Sequence, residues 1–183
     1  MVKVLKAMVR TAGIAVGAVG VAAVTAASYA GDLAASATNH LIRDKVGEPA
    51  VGSVVRRYHG GLEHTGIYVG NNQIIHWSEN SRVEKCNPEA FLQGGGDLAL
   101  SIYVSCKGTE PIGSLEVAQR ARVQVGHGID ERGPYDPLVN NSHRFVIECL
   151  SGQECQEDLL VKDPIEYCKV FLGADNWRVW ERD

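Results

Sequence analysis

From Ser53 to Trp77 the chain alternates short runs of β-branched and aromatic residues with turn residues. Ser53-Val54-Val55-Arg56-Arg57-Tyr58 reads as a strand, and Gly60-Gly61 as the turn that ends it. Glu63-His64-Thr65-Gly66-Ile67-Tyr68-Val69-Gly70 and Ile75-His76-Trp77 are two further runs, joined by Asn71-Asn72, a pair that tolerates positive φ. The pattern predicts a β-hairpin in which His64 opens the first strand and His76 closes the second. In an antiparallel pair those positions approach each other at the open end. Residues 98–105 read as another strand, apolar enough to be central in a sheet.

Helical patterns follow. Asn87 caps a short helix with Pro88 at its first position, and Gly94-Gly95-Gly96 ends it. Ser114 caps a second, with Val117, Ala118, Ala121 and Val125 on one face. Residues 126–137 form a loop. Phe145, Val146, Cys149 and Leu150 then make an i, i+1, i+4, i+5 stripe, which puts Ser142 at the N-terminal end of a helix closed by Ser151-Gly152. An apolar run over 167–172 leads to a tail, Trp177-Arg178-Val179-Trp180, expected to be helical. The fold class expected is α+β: an antiparallel sheet packed on the helix that Ser142 opens, spanning residues 49–183.

Ahead of it, Lys3, Lys6 and Arg10 precede residues 11–31, which carry no charge. A basic start, an apolar run and small residues at Ser28 and Ala30 resemble a secretory signal. About 20 apolar residues also suffice to span a bilayer, and Gly13 and Gly17 have the spacing of close helix packing in lipid. A helix lying on the membrane is the third reading. Each associates residues 1–31 with a membrane, on its cytoplasmic face if the segment is retained and with export if it is a signal. Residues 32–48 read as a linker.

Bulk composition narrows the partners. The 183 residues are 45% hydrophobic and 22% charged, which predicts a packed core. A net charge of -4 with no compact basic cluster excludes nucleic acid as the main partner. Five cysteines at irregular spacings, with no CxxC pair, fit buried thiols better than a disulfide framework or a zinc site. No metal or cofactor motif is present, and oligomeric state is not legible.

A histidine pair on a hairpin and a hydroxyl at a helix N-terminus have the makings of nucleophilic catalysis. The helix end favours developing negative charge. His64 would take the proton, and His76 would hold His64 in the right tautomer. His64-Thr65-Gly66-Ile67-Tyr68-Val69-Gly70 with Ile75-His76 resembles the histidine motif of the lecithin:retinol acyltransferase family. Asn141-Ser142-His143-Arg144-Phe145-Val146 resembles its Asn-Cys-(Glu/His)-x-Phe nucleophile motif. Order and separation match as well, over roughly residues 51–150, most closely small bacterial members. The resemblance implies a permuted papain-like fold and acyl transfer or phospholipid hydrolysis through an acyl-enzyme, with a lipid or acyl ester as substrate and a membrane surface as partner. His64, His76 and Ser142 would be catalytic, and Asn141, His143, Tyr68 and Trp77 would support substrate or oxyanion, although hairpin packing also accounts for the two aromatics, a turn of the chain for Asn141, and packing or capping at the helix start for His143.

One departure stands out: the family's nucleophilic cysteine falls on Ser142. A helix N-terminus and a histidine can draw a thiol to thiolate, whereas a hydroxyl needs concerted removal of its proton. An active serine, a natural loss of catalysis and a change made to silence the enzyme all fit. Cys149, two helical turns on, reads as a core thiol. Glu63 reads as a solvated strand residue, and His40, His59 and His127 as loop residues without a role. Two other classes stay open: a catalytically silent lipid-binding or regulatory module, and a cell-wall peptide hydrolase of related permuted papain-like type.

Overall fold

The computed structural model describes residues 44–59, 62–93, 101–137, 140–154 and 163–182. In chain order these form β1 (Lys45–Val46), β2 (Val54–His59), β3 (Leu62–Tyr68), β4 (Ile74–Ser78), β5 (Arg82–Cys86), α1 (Pro88–Gln93), β6 (Tyr103–Lys107) and β7 (Glu110–Pro111). Then come α2 (Leu115–Val123), α3 (Ile129–Arg132), α4 (Ser142–Ser151), α5 (Pro164–Leu172) and β8 (Asn176–Trp180). The strands make one eight-stranded sheet in the order β1-β8-β6-β2-β3-β4-β5, with β7 paired to β6. The class is α+β, as expected.

Period-two alternation along the strands divides the interior in two. Val54, Ile67, Ile75, Trp77, Tyr103 and Val179 point to one face, where they pack with Val117, Ala118 and Ala121 of α2, Phe145, Val146, Cys149 and Leu150 of α4, and Cys168 of α5. Their neighbours Val55, Tyr68, Ile74, Ile102 and Val104 point to the other, with Phe91 of α1 and Trp180. The hairpin turn forms as its residues dictate: Asn71 and Asn72 both adopt φ 53°, a left-handed conformation that Asn tolerates.

The helix that Ser142 opens has clear local causes. Asn141 is its N-cap, and its side-chain oxygen accepts the N–H groups of His143 (3.0 Å) and Arg144 (3.2 Å). Gly152 ends it in the left-handed region, φ 71°. Arg120 of α2 donates to the carbonyls of Cys149 and Leu150, groups otherwise orphaned at a helix C-terminus.

Five expectations are corrected. His59, read as a loop residue, is the last residue of β2, and the stretch 126–137, read as a loop, contains the helical turn α3. The sheet is mixed rather than antiparallel, because β1, inside the stretch read as linker, pairs parallel to β8 (Lys45↔Val179, Val46↔Trp180). The tail is helical only over Pro164–Leu172; beyond Gly173, Trp177 and Val179 pack in one core and Trp180 in the other, a period-two pattern that makes a strand. Val125 lies beyond the end of α2 and is exposed, since Gln124 already caps the helix. Residues 1–31, most of the proposed linker, Gly60-Gly61 and Gly94-Gly95-Gly96 lie outside the described residues. Among those described, no helix is long and apolar enough to cross a membrane.

Candidate active site

His64 and His76 share the sheet face that carries Tyr68 and Ile74, diagonal to each other across β3 and β4. Gly66 makes the approach possible: a Cβ there would stand 2.7 Å from Ile74 Cγ2 and 3.3 Å from His76 Cβ. With that space empty, His64 Nε2 lies 2.8 Å from His76 Nδ1, the rings edge-on at 80°. Both rings lie 5.5 Å from the Phe91 ring, and they are only 6% and 9% exposed. Burial, then His76, Arg57 and His143, hold His64 well below the ordinary histidine pKa. Burial and Arg57 bring His76 to about 4. Near neutral pH both rings are therefore uncharged, the state a base requires.

Their tautomers follow from the neighbours. His76 is paired in register with Glu84 of β5, and its Nε2 lies 3.9 Å from Glu84 Oε1. A carboxylate there favours the proton on His76 Nε2, which makes His76 Nδ1 an acceptor. His64 then donates through Nε2 and presents an unprotonated Nδ1. Glu84 thus biases the tautomer through its charge, from beyond hydrogen-bond distance, and sequence reading missed it. The signal was present, because Asn80-Ser81 marks a tight turn that sets 76 against 84.

Ser142 arrives from the other face. Val69 N–H donates to Gln73 across the hairpin. Thr65, four residues earlier, points its N–H to the same side of β3, and there it donates to Ser142 Oγ at 3.1 Å. The serine therefore fills the seam where β3 and β4 part, one residue from His64, and it is 1% exposed. Among the described residues neither imidazole is hydrogen-bonded to Oγ. The Asn141 cap takes the N–H groups of His143 and Arg144 and leaves that of Ser142 for an oxyanion.

The remaining candidates serve the scaffold. His143 Nε2 donates to the Glu63 carbonyl at 3.1 Å and pins α4 to β3. Trp77 is buried on the α4 face, and its Nε1 donates to the Asn140 carbonyl at 3.0 Å, fixing the loop ahead of Ser142. Asn140, not singled out from sequence, braces the same loop by donating to the carbonyls of Arg132 and Pro134. Tyr68 sits at the turn end of the hairpin, its hydroxyl on Glu48, away from the imidazoles. Glu63 is not solvated as expected: it pairs with buried Arg56 at 3.2 Å. Cys149 is a core thiol pushed up to about 12 by burial, no rival to Ser142. Among the described residues, no group of three His, Cys, Asp or Glu is placed to hold a metal.

Fold and site together define an α+β protein with a carboxylate, an imidazole pair and a hydroxyl at a helix N-terminus. A comparison with models of known protein families finds no match for this chain, and a comparison with curated proteins finds no relative.

Two histidines buried neutral have a consequence for acid stability. Their folded pKa values lie below the unfolded value near 6.5, so the unfolded chain binds protons first as pH falls. Stability present above pH 6.5 is lost as pH drops towards 4, on the order of 3 kcal/mol from His76, with a further loss from His64. Urea unfolding between pH 7.5 and 4.5 should show this slope, and His76→Asn should flatten it.

Proposed function

We propose that this chain is a lecithin:retinol acyltransferase-like domain on a permuted papain-like fold. Its reaction is transfer or hydrolysis of lipid acyl esters through an acyl-enzyme on Ser142. The observation that carries the reading is the hydrogen-bonded imidazole pair, 2.8 Å, beside a hydroxyl at the first position of α4. The uncharged run over residues 11–31 suits a substrate at a bilayer surface.

Ser142 Oγ would attack the ester carbonyl carbon as its proton passes to His64 Nδ1. His76 would stabilise the resulting imidazolium through Nδ1, with Glu84 behind it. The oxyanion would sit at the Ser142 N–H, at the positive end of α4. Collapse expels the alcohol, which takes the proton from His64 and leaves the acyl group on Oγ. Water or an acceptor alcohol then gives its proton to His64 and releases the acyl group, restoring Ser142.

A second reading has its own support. Ser142 Oγ is held by the Thr65 N–H instead of by an imidazole, the arrangement of a silent lipid-binding module. Incubating the full chain with short-chain phosphatidylcholine and measuring intact mass separates the two. The acyl-enzyme reading expects one acyl adduct, formed about 100-fold or more slowly in His64→Ala. Equal adduct in His64→Ala overturns the base assignment; vesicle binding without adduct favours the silent module.

A further inference from the structure

One buried charge plays no part in that scheme. Arg57 stands directly across β2–β3 from His64 and is 3% exposed. Its Cζ lies 5.6 Å from the Phe91 ring, the ring that also packs on both imidazoles. Its Nε is buried without a hydrogen-bond partner, as are those of Arg56 and Arg132, but of these three only Arg57 has no carboxylate within ion-pair distance among the described residues. The contrast with its neighbours is direct. Arg56, also buried, holds Glu63 at 3.2 Å, and the buried Arg132 side chain holds Glu148 at 2.7 Å. A guanidinium out of water and out of reach of an anion is costly, and proteins rarely keep one without a use.

The charges around it show where a partner belongs. Glu79, Tyr135 and Cys86 act on Arg57 from a distance, and of these Glu79 is exposed and Tyr135 half-buried. On the other side of His64 stands the N-terminus of α4, a ten-residue helix whose dipole is positive at that end. Two positive features therefore flank the imidazole pair, one a fork suited to two oxygens of a phosphate or carboxylate.

We propose that Arg57 is an anion-binding residue, its guanidinium taking a phosphate or carboxylate group of a ligand bound beside His64 and His76. The anion site rests on the acyl-ester reading only in making that group part of the substrate. It gives the substrate a negative charge near the scissile ester, and it gives Arg57 an anionic partner that it lacks among the described residues.

Binding can be read without turnover. The full chain carrying Ser142→Ala would be titrated with inorganic phosphate, with hexanoate and with dihexanoyl phosphatidic acid below its micelle concentration, following the histidine ring C–H resonances by NMR. The expected result is a saturable shift of His64 and His76 with at least one of these anions. Tighter binding of the lipid than of inorganic phosphate assigns a lipid headgroup, and equal binding assigns a free phosphate. Preference for hexanoate assigns a carboxylate. Arg57→Met should weaken that binding tenfold or more, Arg57→Lys should restore part of it, and thermal unfolding of Arg57→Met should be unchanged or higher by about 3 °C. No shift with any anion, undiminished binding in Arg57→Met, or a lower melting temperature or failure to fold in that variant overturns the proposal. Failed acyl chemistry leaves these measurements intact.

Discussion

Ser142→Cys is expected to form the acyl adduct about 100-fold faster than the chain with Ser142, and to be the largest gain any single substitution gives. The reasons lie in what surrounds Oγ. His64 is held neutral by burial, with His76 and the Arg57 guanidinium beside it, so it can accept a proton, yet it is too weak a base to ionise a hydroxyl outright. A serine has to lose its proton during attack, whereas a thiol beside a helix N-terminus ionises beforehand. Oγ also accepts the Thr65 N–H, which draws electron density from an alcohol nucleophile; sulfur, a weak acceptor, loses less. The adduct rate is measured by stopped-time intact mass with short-chain phosphatidylcholine. A folded Ser142→Cys chain that forms no adduct removes the acyl-transfer reading. Equal rates for the two chains would mean a site adapted to concerted serine chemistry.

Trp77→Ala should cost about 4–5 kcal/mol, near the upper end for a large-to-small change. The side chain is fully buried between Val83, its partner on β5, and the α4 layer. The Arg132 guanidinium stacks 5.2 Å from its ring. Truncation opens a cavity and also removes one of the two hydrogen bonds on the Asn140 carbonyl, which keeps the Asp136 N–H and lies two residues before Ser142. Against total stabilities of about 5–15 kcal/mol, the variant would stand close to unfolding at 25 °C. Trp77→Phe separates the two contributions: it keeps most of the packing, loses the hydrogen bond, and should cost about 1–2 kcal/mol. Urea denaturation reads both. If the Asn140 tether positions Ser142, adduct formation in Trp77→Phe falls by more than its stability predicts.

Local chemistry explains which parts of this molecule were legible in the sequence. The hairpin was, because Asn-Asn turns and period-two alternation are decided within a dozen residues. So was α4, where an apolar stripe and a terminal glycine agree, although the Asn141 cap went unread. The pairing of β1 with β8 was not, since Lys45 and Val46 gain a strand partner only from the far end of the chain. The tail was misread because Trp-Arg-Val-Trp is short and carries both periodicities. Glu84 and Arg57 take their meaning from register: each stands opposite a histidine, and neither lies in a recognisable motif. Arg56 and Arg57 look alike in sequence; alternation sends one to Glu63 and leaves the other beside the imidazoles.

The two halves of the site also differ in how the chain must come together to make them. β2 to β5 form a continuous meander within residues 54–86, so the imidazole pair can assemble through short loop closures. The Thr65–Ser142 hydrogen bond joins residues 77 apart, and that closure carries the greater entropic cost and forms later. Ser142 is therefore delivered to an imidazole pair already in place. A substitution at position 142 alters what is delivered without disturbing the meander, which makes the exchange of cysteine for serine an easy one for folding even where it is a severe one for chemistry.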